Sequence, residues 1–159
     1  MYVTMPSYKI LEIPNDILLG AVKKALREGH TCTISVKGRS MRPFLEDKRD
    51  RVILAPITAP LLPGDAVLAE IREDTYVLHR IIGINGNIVT LMGDGNIKGT
   101  ETCRAEDICG IVTRYLHPRL SFSATSMATR RAVRLWRALL PLRYPLLKLY
   151  SLLRKLHLV

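Results

Sequence analysis

The sequence predicts a mainly β fold: a compact antiparallel domain with one helix before the strands and a basic amphipathic helix after them. Three observations carry this. Short apolar or alternating segments recur from Thr31 to Tyr115, punctuated by Gly, Pro, Asn and Asp. Helical spacing occurs only towards the two ends of the chain. Charge divides the 159 residues in the same way: residues 1–107 hold balanced numbers of Lys+Arg and Asp+Glu, while the net charge of +10 lies beyond Asp107, the last carboxylate. The expected organisation is a body, residues 1–118, and a basic tail, residues 119–159. At this length the body can bury a real core.

The elements follow in order. Pro14-Asn15-Asp16 offers a helix cap, Ile17, Leu18, Val22, Ala25 and Leu26 follow at helical spacing, and Gly29 supplies the stop. From Thr31 the period becomes two, with Cys32, Ile34 and Val36 alternating against Thr31, Thr33 and Ser35 up to Gly38. Arg51 to Leu54 reads as a second strand. Pro56, Pro60 and Pro63-Gly64-Asp65 break the chain before strands over Ala66–Ile71 and Thr75–Ile84. Asn85-Gly86-Asn87 is a hairpin signal leading into Ile88–Met92. Gly93-Asp94-Gly95-Asn96 is a turn, and Ile108–Tyr115 closes the series.

Several chemistries are disfavoured. Cys32, Cys103 and Cys109 form no CxxC pair, so neither a disulfide framework nor a zinc site is expected, and a reducing compartment fits. No His/Cys spacing suits a metal, and no glycine-rich phosphate loop has the required strand–helix context, so no cofactor is expected. Residues 1–15 lack a long apolar run, so no secretory signal is expected.

Two stretches point to catalysis. Gly38-Arg39-Ser40-Met41-Arg42-Pro43 sets a serine on a corner after a strand, where nearby backbone N–H groups could face a carbonyl oxygen. Tyr76-Val77-Leu78-His79-Arg80 sets a histidine in an apolar strand, where alternation puts Val77, His79 and Ile81 on one face and Leu78, Arg80 and Ile82 on the other. A histidine can act as a base near neutral pH, whereas a lysine would need heavy desolvation. Ser40 is the candidate nucleophile and His79 the candidate base. Asp94 could orient the imidazole or cap its own turn. Asp65 reads as a turn residue, His30, His117 and His157 as structural or solvated, and the charges of 39–50 as a solvated loop.

These stretches resemble a known group. Gly38-x-Ser40-Met41-x-Pro43-x-Leu45 is similar to the nucleophile box of the signal peptidase I and LexA-like serine peptidases (S24/S26 type). Gly64-Asp65-x-Val67, Tyr76 to Gly83, Gly93-Asp94-Gly95-Asn96 and Ile108 to Val112 resemble the later boxes, in order and at similar spacing. The resemblance implies the antiparallel β fold and a serine endopeptidase acting on a leader or signal-like peptide. Histidine rather than lysine at position 79 resembles the endoplasmic-reticulum and sporulation-type signal peptidases, which implies a Ser40/His79 dyad. The chain departs from the pattern at Arg49-Asp50, where Gly-Asp is frequent, and at Lys98-Gly99-Thr100-Glu101, where the histidine type carries further aspartates. On that basis Asp94 is the carboxylate expected to orient His79. The rival expectations are a LexA-type self-cleaving regulator and a non-catalytic peptide-binding module.

In the tail, Arg130, Arg134, Arg137, Pro141, Tyr144, Lys148, Ser151 and Lys155 recur at steps of four and three, on one helix face. Leucines and Trp136 fill most of the rest, with Pro141 and Pro145 expected to start or kink helical segments. Charges interrupt the leucines too often for a span of about 20 apolar residues. The expectation is peripheral attachment of residues 120–159 to an anionic membrane surface, in a cytoplasmic or peripheral-membrane protein. The alternative is a helix that covers the β domain. Nucleic acid is not expected, because the apolar content exceeds what phosphate binding needs.

Overall fold

The computed structural model describes residues 15–156; the expected Pro14 cap, the absence of a leader in residues 1–14 and the reading of His157 lie outside them. Helix α1 (Asn15–Arg27) ends where Gly29 takes a positive φ of 90°. It buries Val22 and Leu26, two of the positions its spacing marks as inward, while Ile17 and Leu18 in its first turn stay exposed. Seven strands then form one antiparallel path: β1 (Cys32–Ser35), β2 (Arg51–Ala55), β3 (Ala66–Arg72), β4 (Thr75–Asn85), β5 (Ile88–Met92), β6 (Glu101–Arg104) and β7 (Ile108–Leu116). Their order is β1-β2-β7-β3-β4-β5-β6, and a short β8 (Ser121–Ser123) pairs with β7. The mainly β antiparallel fold with helices at both ends is therefore present.

The sheet packs apolar side chains on both faces. Val22, Leu26, Ile34, Leu54, Leu68 and Val112 form one buried cluster, which ties α1 to the sheet. Val67, Ala69, Ile81, Val89, Leu91 and Ile108 form the other. Alternation along β3 feeds both clusters, which explains why Ala66–Ala69 is buried throughout. Neither β6 nor β8 is among the expected strands. Glu101-Thr102-Cys103-Arg104 buries only Cys103 and has too few apolar residues to signal a strand, and β8 lies in the segment read as tail.

The tail is two helices rather than one. Helix α2 (Met127–Ala138) starts at Ser126, whose hydroxyl accepts from the Thr129 N–H, and a 3₁₀ turn over Leu140–Leu142 separates it from α3 (Arg143–Lys155). Pro141 lacks an N–H and cannot continue α2, which breaks the single polar stripe expected from Arg130 to Lys155. Both helices dock on the body. Val133 is buried, Trp136 Nε1–H donates to the Asp94 carbonyl (2.8 Å), Arg137 to the Ile82 carbonyl (3.0 Å) and Arg143 to the Asn96 carbonyl (2.7 Å). Trp136 and Arg143 thus serve the fold, Arg143 also lying 5.4 Å over the Trp136 ring. No helix among the described residues is long and apolar enough to cross a membrane.

Candidate active site

Ser40 and His79 line the same cavity, of about 420 Å³. Ser40 sits on the turn that follows β1, opened by Gly38 at a φ of +86°. That φ belongs to the left-handed region, which a side chain would strain. The Gly38 N–H donates to Asp47 Oδ1 at 2.9 Å, so it is not free to face a substrate. The N–H of Ser40 has no acceptor among the described residues, and no hydrogen bond joins Ser40 Oγ to His79.

A second turn clamps the first from behind. The Gly95 N–H donates to the Ser40 carbonyl at 2.7 Å. A Cβ on Gly93 would stand 2.5 Å from the Ser40 carbonyl oxygen and 3.0 Å from its Cβ, and one on Gly95 would stand 2.6 Å from the Arg39 carbonyl oxygen. Gly93-Asp94-Gly95 therefore carries its glycines because two backbones meet there. Gly93→Ala is expected to displace the Ser40 turn. It should lower the reactivity of Ser40 at least tenfold towards a serine-directed probe, with a smaller loss of thermal stability; unchanged labelling would show that the turn tolerates the methyl group.

His79 is 6 % exposed on β4, and its Nδ1 lies 2.9 Å from Glu101 Oε2 on β6. Asp94 does not take this place. Its carboxylate is buried and bound by Arg80, with Nε 2.8 Å from Oδ1 and Nη2 also in contact. Adjacent residues on a strand point to opposite faces, so the partner of Arg80 is on the side of the sheet away from His79. The expected orienting role of Asp94 is thus corrected: the carboxylate at His79 is Glu101, in the stretch that departs from the family pattern. The signal that could have located it is an acid on a polar edge strand within reach of His79, but that strand was itself not foreseen.

Arg80 is held on every side. Its Nη1 donates to the Gly64 carbonyl (2.8 Å) and it lies 5.2 Å over the Phe44 ring. Burial works against its charge, but the Asp94 carboxylate outweighs it and raises the guanidinium pKa further above its ordinary range. Asp65 accepts from the Leu62 N–H at 2.9 Å, the turn role expected of it.

The loop after Ser40 is not solvated as expected. Glu46 and Asp50 are both fully buried. Asp50 accepts from the Glu46 N–H (2.8 Å), from Arg49 (2.8 Å) and pairs with His117 Nδ1 (3.0 Å). Glu46 accepts from Arg42 (2.8 Å), from Tyr150 Oη (2.7 Å) and from Arg154. Burial opposes ionisation of Glu46, yet the Tyr150 and Arg42 hydrogen bonds prevail and hold its carboxyl below the usual range. Burial, and then the bond to Glu46, push the Tyr150 phenol up to about 12.

Comparison with protein-family models and with curated proteins finds no match.

The cavity also runs between two strand edges. Thr33–Lys37 along one wall belong to and follow β1, which among the described residues pairs only with β2. Tyr76–His79 along the other wall pair with β3, while the β5 ladder begins at Arg80. Each wall therefore offers unpaired backbone groups. Leu18, Leu19 and Val22 of α1, with Ile34, Leu68 and Tyr76, supply apolar lining.

Proposed function

We propose that this protein is a serine endopeptidase of the signal peptidase-like group, cleaving an extended leader or signal-like peptide. The observation that carries the reading is the shared cavity of Ser40 and His79, with His79 Nδ1 held by Glu101 at 2.9 Å. An acceptor on Nδ1 keeps that nitrogen protonated and leaves Nε2 free to take a proton. A substrate strand would lie between the free edges of β1 and β4 and pair with their backbones. Ser40 Oγ attacks the scissile carbonyl as its proton passes to His79 Nε2, and the Ser40 N–H helps to stabilise the oxyanion. His79 then gives that proton to the leaving amine. Water, deprotonated by His79, attacks the acyl-enzyme, and the proton returns to Ser40. The mechanism needs the Ser40–His79 hydrogen bond only in the Michaelis complex, where such bonds tighten.

The test is labelling with a fluorophosphonate. The full chain should be labelled stoichiometrically at Ser40, and Ser40→Ala should not be labelled at all. A folded wild-type protein that resists the probe, yet binds extended apolar peptides, would instead be a non-catalytic peptide-binding module.

We also propose that residues 120–159 attach the protein peripherally to an anionic membrane surface. Large apolar residues of both tail helices face outward, including Leu135 of α2 (62 % exposed) and Leu149 of α3 (52 %), and no acid lies beyond Asp107.

A further inference from the structure

Glu46 does more than anchor α3, because the cations it draws together outnumber it. Arg39 and Arg42 from the Ser40 turn and Arg154 and Lys155 from α3 line one cavity of about 270 Å³, closed by Ser151. Glu46, the carboxylate at this cluster, is buried and already takes Arg42, Arg154 and Tyr150. The cluster therefore keeps an excess of positive charge and unused N–H donors, which suit an anion.

The cavity continues into an apolar one. Ser151 and Lys155 also line a hollow of about 470 Å³ with Ile97, Tyr144, Leu147, Leu152 and Lys148, whose ammonium lies 4.5 Å over the Tyr144 ring and adds a further cation at the rim. Leu149 and Leu152 of α3 and Leu156 just past its end are 52 %, 53 % and 59 % exposed. A helix that only covered the sheet would turn its leucines inward. One ligand matches both halves, an amphiphile with an anionic head. A free anion would leave the apolar hollow unused, and nucleic acid would meet leucines with phosphate.

We propose that Arg39, Arg42, Arg154 and Lys155 form a binding site for the headgroup phosphate of an anionic phospholipid, with its apolar part against Tyr144 and Leu152. The site deepens the membrane attachment proposed above and does not depend on the peptidase reading. Because Arg39 adjoins Ser40, lipid bound here holds the Ser40 cleft at the membrane boundary.

The test is co-sedimentation of the full chain with phosphatidylcholine vesicles, with and without phosphatidylglycerol. Wild-type protein should bind only when phosphatidylglycerol is present. Arg39→Gln and Lys155→Gln should each weaken binding roughly fivefold, the effect of about 1 kcal/mol per cation. Leu149→Gln/Leu152→Gln should weaken it at least as much. Arg72→Gln, at the exposed end of β3, should change little. Melting curves confirm that each variant folds. Equal loss for Arg72→Gln and Lys155→Gln would reduce the site to diffuse attraction, overturning it but not the attachment. Absence of phosphatidylglycerol-dependent binding would overturn both. Binding of polyglutamate through Arg39 and Lys155, without vesicle binding, would assign the cavity to an acidic peptide and refute the lipid site. Fluorophosphonate labelling of the same samples reports on the peptidase reading separately.

Discussion

Ser40→Ala and His79→Ala are each expected to lower kcat/KM on a cleaved peptide by about 10⁴-fold or more, with melting temperatures close to wild type. Nucleophile and base act as a unit, so the double variant should be little worse than either single. Glu101→Gln offers a sharper test. It keeps the size of the side chain at 2.9 Å from His79 Nδ1 but removes the charge that stabilises the imidazolium. A loss of about 10²- to 10⁴-fold in kcat, with KM little changed, is expected. Near-wild-type cleavage by His79→Ala would exclude the dyad. Near-wild-type cleavage by Glu101→Gln would reduce that contact to a packing detail.

Asp94→Ala is expected to damage the fold rather than the chemistry directly. It would leave Arg80, 1 % exposed, with its charge uncompensated inside the sheet. Breaking a buried pair from one side costs about 3–5 kcal/mol, a large part of a typical domain's stability. Urea denaturation should show the unfolding free energy lowered by that amount, read as a lower midpoint at an unchanged m-value. A loss under about 1 kcal/mol would mean that water reaches Arg80, against its burial here. The pair of variants also separates the two carboxylates: Glu101→Gln should affect rate with little change in stability, and Asp94→Ala stability first.

Local signals in the sequence were sufficient for most of the sheet. Alternation in Cys32–Ser35, the Asn85-Gly86 turn and Gly29 after α1 mark elements close to where they form. Alternation also separates His79 from Arg80 correctly, and it is the reason Asp94 cannot serve both. What escaped was set by distant partners. Glu46 reads as a solvated loop residue because Tyr150 lies 104 residues away. Glu101 was passed over because β6 has a single buried apolar residue and gains its place by pairing with β5. Trp136 reads as one more apolar residue of the amphipathic tail until the Asp94 carbonyl takes its N–H. In each case a polar group takes its role from a contact outside its own segment.

That return has a consequence for how the protein is made. Ser40, His79, Glu101 and the turn at Gly93 all lie before residue 108, whereas the Trp136, Arg143 and Tyr150 contacts that brace this region come from α2 and α3. During synthesis the chain holds Ser40 and His79 before it holds their outer brace. Until α3 arrives, Glu46 lacks Tyr150 and Arg154, and the Asp94 carbonyl lacks the indole. The nascent domain therefore passes through a stage in which the chemical groups are present but the loop that carries Ser40 is braced from one side only. Translation order thus postpones full rigidity of the site until α2 and α3 have emerged.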